Sequence, residues 1–331
     1  MQVGRRRLPR RSSCVGHAQS GNEHLKTQRR GLLFPLSLLS LSLSTGCLSR
    51  VPIPSDQAKV SVVATYSILG DWVRIVGGEH VTVTTLVGPG GDAHTYEPTP
   101  RDSVALHRAA LVFENGIGFE AWLEKLFVAS RSAAIRVVVT RKITSRNLIS
   151  SSGQEEIDPH VWHCPRNAEA MVREIADALA ARDPVHAADY LGRADDYIRK
   201  LNTLDAWIGE QIATIPESRR HLVTTHDTFG YFSDRYGFEV SSVMGSVSSE
   251  STDPAASDLA EVIDRIRAAQ VPAVFTENII NPRLTEQVAR EASVSIVPSL
   301  YTDALGPPGS KGATYLELMR FNVRTMTEAL R

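Results

Sequence analysis

Pro184–Ile215 reads PVHAADYLGRADDYIRKLNTLDAWIGEQIATI. Within it Tyr190, Ala194, Tyr197, Leu201, Leu204, Ile208 and Ile212 recur at spacings of three and four, which lays them along one face of a helix. Asp183 suits the N-cap and Pro184 the first helical position, where a missing N–H costs nothing. A helix of about 30 residues spans roughly 45 Å at 1.5 Å per residue. Taken alone it is either a long surface helix with one buried face or a stiff rod between two bodies.

The flanking sequence favours the rod. Upstream, Val60–Thr65, Val81–Leu86, Leu111–Glu114 and Ile135–Val139 read as strands, with helices at Leu69–Val76, Pro100–Ala110 and Phe119–Ala129. Downstream the alternation resumes with strands His221–Thr225, Glu239–Val243, Ala273–Thr276 and Ser295–Val297. Helices at Phe229–Tyr236, Ala255–Ala269, Pro282–Glu291 and Thr314–Leu330 lie between and after them. Apolar strands alternating with helices predict parallel sheets covered on both faces. The expected fold is α/β: two lobes with mostly parallel sheets joined by one long rigid helix. The expected boundaries are a signal peptide at 1–46, a tether at 47–58, an N-terminal lobe at 59–183, a linking helix at 184–215 and a C-terminal lobe at 216–331. The Ser-rich, polar stretch Arg141–Ile157 reads as a loop.

The first 46 residues hold eight Lys/Arg and one acid, so a chain of net charge −1 carries −8 in its remainder. An acidic body argues against nucleic acid, whose phosphates need clustered Lys/Arg. Gly31–Thr45 is apolar but interrupted by Pro35 and several serines, and is shorter than the roughly 20 residues a spanning helix needs. A basic start, a short apolar core and small residues before a cysteine form an export signal. Ser44-Thr45-Gly46-Cys47 resembles a lipobox, with Ser44 where leucine is usual. That resemblance implies acylation of Cys47 and anchoring to the outer face of the cytoplasmic membrane; a soluble periplasmic or secreted form is the alternative. With Cys14 removed and Cys47 acylated, Cys164 stands alone, so no internal disulfide supports the fold.

Four segments combine an imidazole or carboxylate with turn residues after predicted strands or beside loops: Gly90–Pro100 around His94, Asp158–Trp162 around His160, Thr225–Asp227 around His226, and Leu300–Gly306 around Asp303. Ligands of doubly wound folds bind beyond the C-terminal strand ends. The four residues are 66, 66 and 77 positions apart, which excludes a local finger or a two-histidine helix motif. Three neutral imidazoles and one carboxylate would complete a tetrahedral Zn²⁺ shell, and a bidentate Asp303 would raise the coordination number to one Mn²⁺ accepts. On spacing alone, an isolated histidine on a loop is more often a surface or core residue than a ligand.

The segments resemble the bacterial solute-binding protein 9 family, the TroA-like receptors of zinc and manganese ABC importers. The likeness rests on Tyr66-Ser-Ile-Leu-Gly-Asp71, Gly91-Asp-Ala-His-Thr-Tyr-Glu-Pro-Thr-Pro-Arg-Asp102, Asp158-Pro-His-Val-Trp162 and His226-Asp-Thr-Phe-Gly-Tyr-Phe232. It continues through Phe275-Thr-Glu-Asn278, Asn281-Pro-Arg-Leu284 and Tyr301-Thr-Asp303, and runs in order from about Val60 to Leu330. It implies that His94, His160, His226 and Asp303 hold Zn²⁺ or Mn²⁺ as transported ligand in an interlobe cleft. It also implies an ABC permease with its ATPase subunit as partners, a monomer, and a stiff linker that permits only slight rocking.

The chain departs from the family after Trp162, where an apolar residue and Asp-Pro are usual and His163-Cys164-Pro165 stand instead. Cys164 occupies the place of a helix N-cap; the alternative is an auxiliary thiolate or imidazole beside the site. Glu277, and with it Glu97, reads as an acceptor from a ligand imidazole or as a structural ion pair. His80, His107, His186 and His221 fall outside the motifs and read as structural. The His-rich loop of many zinc-dedicated members is missing, since Thr140–Ile157 has no histidine and only Glu155 and Glu156. The competing readings are a zinc-dependent hydrolase, which needs an open coordination position and a general base, and a surface adhesin.

Overall fold

Val62–Tyr66 form an unbroken run of buried residues, as a strand covered on both faces must. In the computed structural model, which describes residues 58–149, 155–244 and 256–331, this run lies within strand β1 (Val60–Tyr66). β1 sits inside a four-stranded, all-parallel sheet ordered β2-β1-β3-β4, with β2 at Val81–Val87, β3 at Leu111–Glu114 and β4 at Ile135–Val138. The chain leaves β1 toward β2 on one side and later returns to β3 on the other. The connections that leave β1 and β3 therefore run to opposite sides, the switch point at which such sheets bind ligands. Helices α1 (Ser67–Gly77), α2 (Pro100–Arg108) and α3 (Leu123–Ser130) connect these strands.

The C-terminal half repeats the logic in two parallel pairs. β7 (His221–Thr224) pairs with β8 (Glu239–Ser242), and β9 (Ala273–Glu277) pairs with β10 (Ser295–Leu300). α6 (Gly230–Tyr236), α7 (Ala256–Ala268), α8 (Arg283–Ala292) and α9 (Tyr315–Leu330) complete it. Thr314 opens α9 with a capping box, its hydroxyl and backbone N–H both engaged with Glu317.

Between the halves lie α4 (Pro165–Arg182) and α5 (Ala187–Ile212). All seven apolar positions of the expected α5 face are buried. The helix packs against α1, α4 and α9, so the rod is embedded in both halves rather than spanning open solvent. Arg193 of α5 donates to the carbonyls of Val76 and Gly77 at 2.8 and 3.0 Å, satisfying acceptors at the C-terminus of α1 with a cation.

Three sequence expectations need correction. Pro184–His186 form a separate 3-10 turn, so the α-helix begins at Ala187. Asp183 is the N-cap of that turn with Pro184 in its first positions, as expected, but makes no side-chain cap bond; its Oδ2 instead lies 2.7 Å from both His186 Nδ1 and the Tyr190 hydroxyl. Within Arg141–Ile157, read as a loop, β5 (Arg146–Ile149) pairs antiparallel with β6 (Glu155–Asp158). Polar alternation hid this hairpin, whose placement depends on a distant residue: the Tyr231 hydroxyl accepts from Arg146 N at 2.9 Å and donates to the Asp158 carbonyl at 3.0 Å. The expected export signal and Cys47 lie outside the described residues. Among the described residues no helix is long and apolar enough to cross a membrane.

Candidate metal centre

Two of the four candidate residues are set by the same short device. In Asp92-Ala93-His94 and Asp158-Pro159-His160 the aspartate Oδ1 accepts the backbone N–H of the histidine two residues on, at 2.8 and 3.0 Å. This is the local turn for which Asp is chosen. In the second copy the same Oδ1 also takes His160 Nδ1 at 2.8 Å. The other two follow strand ends: His226 comes two residues after β7, and Asp303 three residues after β10.

Ligand-type atoms of His94, His160, His226 and Asp303 all lie within 4.8 Å of one another, and all four residues are buried. His160 Nε2 is 3.3 Å from both His94 Nε2 and His226 Nε2. Asp303 Oδ2 is 3.2 Å from His94 Nε2 and 3.3 Å from His226 Nε2, while Oδ1 is 3.8 Å from His160 Nε2. Donors about 2.0–2.1 Å from a shared tetrahedral centre are separated by about 3.3 Å; the four separations of 3.2–3.3 Å match that value, and the others lie within 4.8 Å.

The far sides of the His160 and His226 rings explain why the near side wants a cation. His226 Nδ1 is 2.5 Å from Glu277 Oε2, and Glu277 Oε1 accepts the backbone N–H groups of Thr225 and His226 at 2.7 and 2.9 Å. With the Nδ1–H of His160 and His226 given to carboxylates, the neutral rings aim Nε2 lone pairs at one another. Asp303 Oδ2 is buried without a hydrogen bond. Such a cluster is stable only around positive charge, a metal ion or protons. Burial works to lower the His226 pKa, but the Glu277 and Asp303 carboxylates hold it well above the imidazole range. Burial likewise works to raise Asp303, yet His226 and His160 hold it well below the carboxylate range.

An aromatic wall keeps the cluster dry. Phe119 meets the His94 ring edge-on at 4.7 Å, and Trp162 meets His160 at 5.3 Å. Trp162 Nε1 donates to the Thr302 carbonyl at 3.0 Å, and the Ser67 hydroxyl accepts Leu305 N at 2.9 Å, so both halves of the chain meet around Asp303.

The remaining candidates separate. Glu277 reaches His226 directly. Glu97 is exposed beside Pro98 and is not brought to the cluster. Cys164 is buried as the N-cap of α4, makes no side-chain cap bond, and lies outside the four-residue group; burial pushes its thiol up. His163, its neighbour in sequence, is fully buried and lies 3.2 Å from the Thr228 hydroxyl, which touches Asp303. Asp158, Thr228 and Arg146 are supporting residues that the sequence reading did not single out. The Asp-x-His spacing was the available signal for Asp158; nothing local marks the other two.

Comparison with known proteins is consistent along most of the chain. Residues 62–329 match the family described as zinc-uptake complex component A, periplasmic. The manganese-binding lipoprotein MntA of Halalkalibacterium halodurans is 34% identical over 298 residues, covering 90% of this chain and 97% of MntA. The iron-binding protein YfeA of Yersinia pestis is 33% identical over 303 residues, covering 91% of this chain and 96% of YfeA. Among solved structures, the periplasmic zinc binding protein TroA from Treponema pallidum matches with a TM-score of 0.77 at 31% identity, over 82% of this chain and 99% of TroA.

Proposed function

The chain belongs to solute-binding protein family 9, and on that premise we propose that it is the extracytoplasmic receptor of an ABC importer, capturing zinc or manganese and delivering it to a membrane permease. It is a binding protein and not an enzyme. The observation that carries the metal reading is the convergence of three imidazole Nε2 atoms and one unbonded carboxylate oxygen at 3.2–3.3 Å. His94, His160, His226 and Asp303 are the ligands, and Glu277 and Asp158 fix the tautomers of His226 and His160.

A shell of four protein donors supports a carrier over a hydrolase, which would keep one position open for water. The names of relatives, manganese-binding for MntA and zinc binding for TroA, support a dication of this size and leave both metals in play. Raw affinity favours Zn²⁺ with three imidazoles, because Mn²⁺ stands lowest in the divalent series.

Residues 59–183 and 216–331 act as the two lobes, with 184–215 as the link. The burial of α5 against α1, α4 and α9 supports small tilts rather than wide closure. Once the signal at 1–46 is removed, a lipid anchor on Cys47 and a tether at 47–58 hold the receptor, as a monomer, near the permease and its ATPase.

Metal analysis of wild-type protein purified without chelators, beside His226→Ala and Asp303→Ala, tests the reading. One zinc or manganese ion per wild-type chain, lost in both variants, is the expected result. Wild-type protein that is metal-free and binds neither ion in titration overturns it.

A further inference from the structure

Asp303 has two oxygens, and the protein treats them differently. Oδ2 faces His94 and His226 without a hydrogen bond, whereas Oδ1 lies 3.3 Å from the Thr228 hydroxyl, a donor in reach. Thr228 is fully buried, and its hydroxyl is in turn 3.2 Å from His163 Nε2. The other nitrogen of that ring, Nδ1, is buried with no partner. An unmet N–H donor costs more than an unmet lone pair, so the proton belongs on Nε2. His163 then donates to Thr228, which leaves the hydroxyl hydrogen to point at Asp303 Oδ1. Burial pushes the His163 pKa down to about 3, so the ring is neutral and carries one proton. Phe229, with its ring centroid 4.4 Å from that of His163, holds the imidazole in place.

We propose that the His163–Thr228 pair is a positioning and specificity device for the metal site: it holds Asp303 Oδ1 back so that Asp303 offers the ion a single oxygen. The inference rests on the ligand set proposed above. A one-oxygen Asp303 with three imidazoles makes a four-coordinate shell, which suits Zn²⁺. Releasing Oδ1 allows a two-oxygen Asp303 and a higher coordination number, which Mn²⁺ accepts more readily. Thr228 and His163 thereby act on the choice between the two ions without touching either.

The test compares wild type with Thr228→Val, Thr228→Ser and His163→Leu. Zn²⁺ and Mn²⁺ are titrated competitively, and the Co²⁺-loaded proteins are read by visible absorption, whose ligand-field bands are intense for four-coordinate ions and weak for higher numbers. Thr228→Val is expected to weaken Zn²⁺ binding by about 10-fold or more, lower the Zn²⁺-to-Mn²⁺ preference, and reduce the Co²⁺ band intensity. Thr228→Ser is expected to restore all three, and His163→Leu to shift them in the direction of the valine variant. Wild-type preference and spectrum in both Thr228→Val and His163→Leu overturn the proposal, as does a serine variant that behaves like valine. A wild type that binds no metal would instead overturn the ligand set.

Discussion

Glu277 Oε2 lies 2.5 Å from His226 Nδ1, and its Oε1 accepts two successive backbone N–H groups, those of Thr225 and His226. One carboxylate at the end of β9 therefore fixes both the backbone and the ring of a residue at the end of β7. Glu277→Gln keeps the shape but offers a weaker acceptor to Nδ1–H. Metal affinity is expected to fall by about 10- to 100-fold, measured by titration of metal-depleted protein, with little change in helical content by circular dichroism.

Gly230 opens α6 where two side chains crowd it: an added Cβ would lie 2.4 Å from both Arg146 Nη1 and Asp158 Oδ2. Those atoms belong to the support behind His160, with Arg146 Nη1 3.5 Å from Asp158 Oδ2 and Arg146 Nε 3.1 Å from Asp234 Oδ2. Gly230→Ala must displace them. A loss of about 1–3 kcal/mol in unfolding free energy and weaker metal binding are expected together, from denaturant melts and titration of the same sample.

Leu204 is fully buried on the α5 face that touches both halves. Leu204→Ala is expected to cost about 2–5 kcal/mol of stability while leaving the metal affinity of the folded fraction unchanged. Chemical denaturation gives the first quantity and titration below the transition gives the second.

Glu120 is buried behind the site, accepting from the Thr65 hydroxyl at 2.6 Å and the amides of Asn115 and Gly116 at 2.8 and 3.0 Å. Burial pushes its pKa up to about 7. A carboxyl that binds its proton more tightly when folded stabilises the fold below its unfolded pKa. That contribution is lost as pH rises from about 4.5 through about 7, at most about 3 kcal/mol. Glu120→Gln does not titrate, so the stability difference between wild type and variant is expected to change across that window and level off above it. A difference that stays constant with pH would show that Glu120 is ionised throughout.

The alternation of strands and helices was legible in the sequence because α5 imposes a helical period from Tyr190 to Ile212 and β1 an unbroken buried run from Val62 to Tyr66. The β5–β6 hairpin was not, since its strands are polar and its anchor, Tyr231, lies 85 residues from Arg146. The site divides the same way. His94 and His160 carry a readable Asp-x-His turn, but His226 and Asp303 join them only through the meeting of β7 and β10 ends, and the family likeness supplied what spacing could not. Glu277 was readable from its place at the end of an apolar strand, whereas Thr228 touches Asp303 across 75 residues, and a pairing of that range leaves no periodic trace.

X-ray absorption on the zinc-loaded protein reads the ligand set itself. Three imidazole nitrogens and carboxylate oxygen at about 2.0–2.1 Å, and no sulfur, are expected. A sulfur at about 2.3 Å, which Cys164 would supply, or fewer than three imidazoles around the ion, would contradict it.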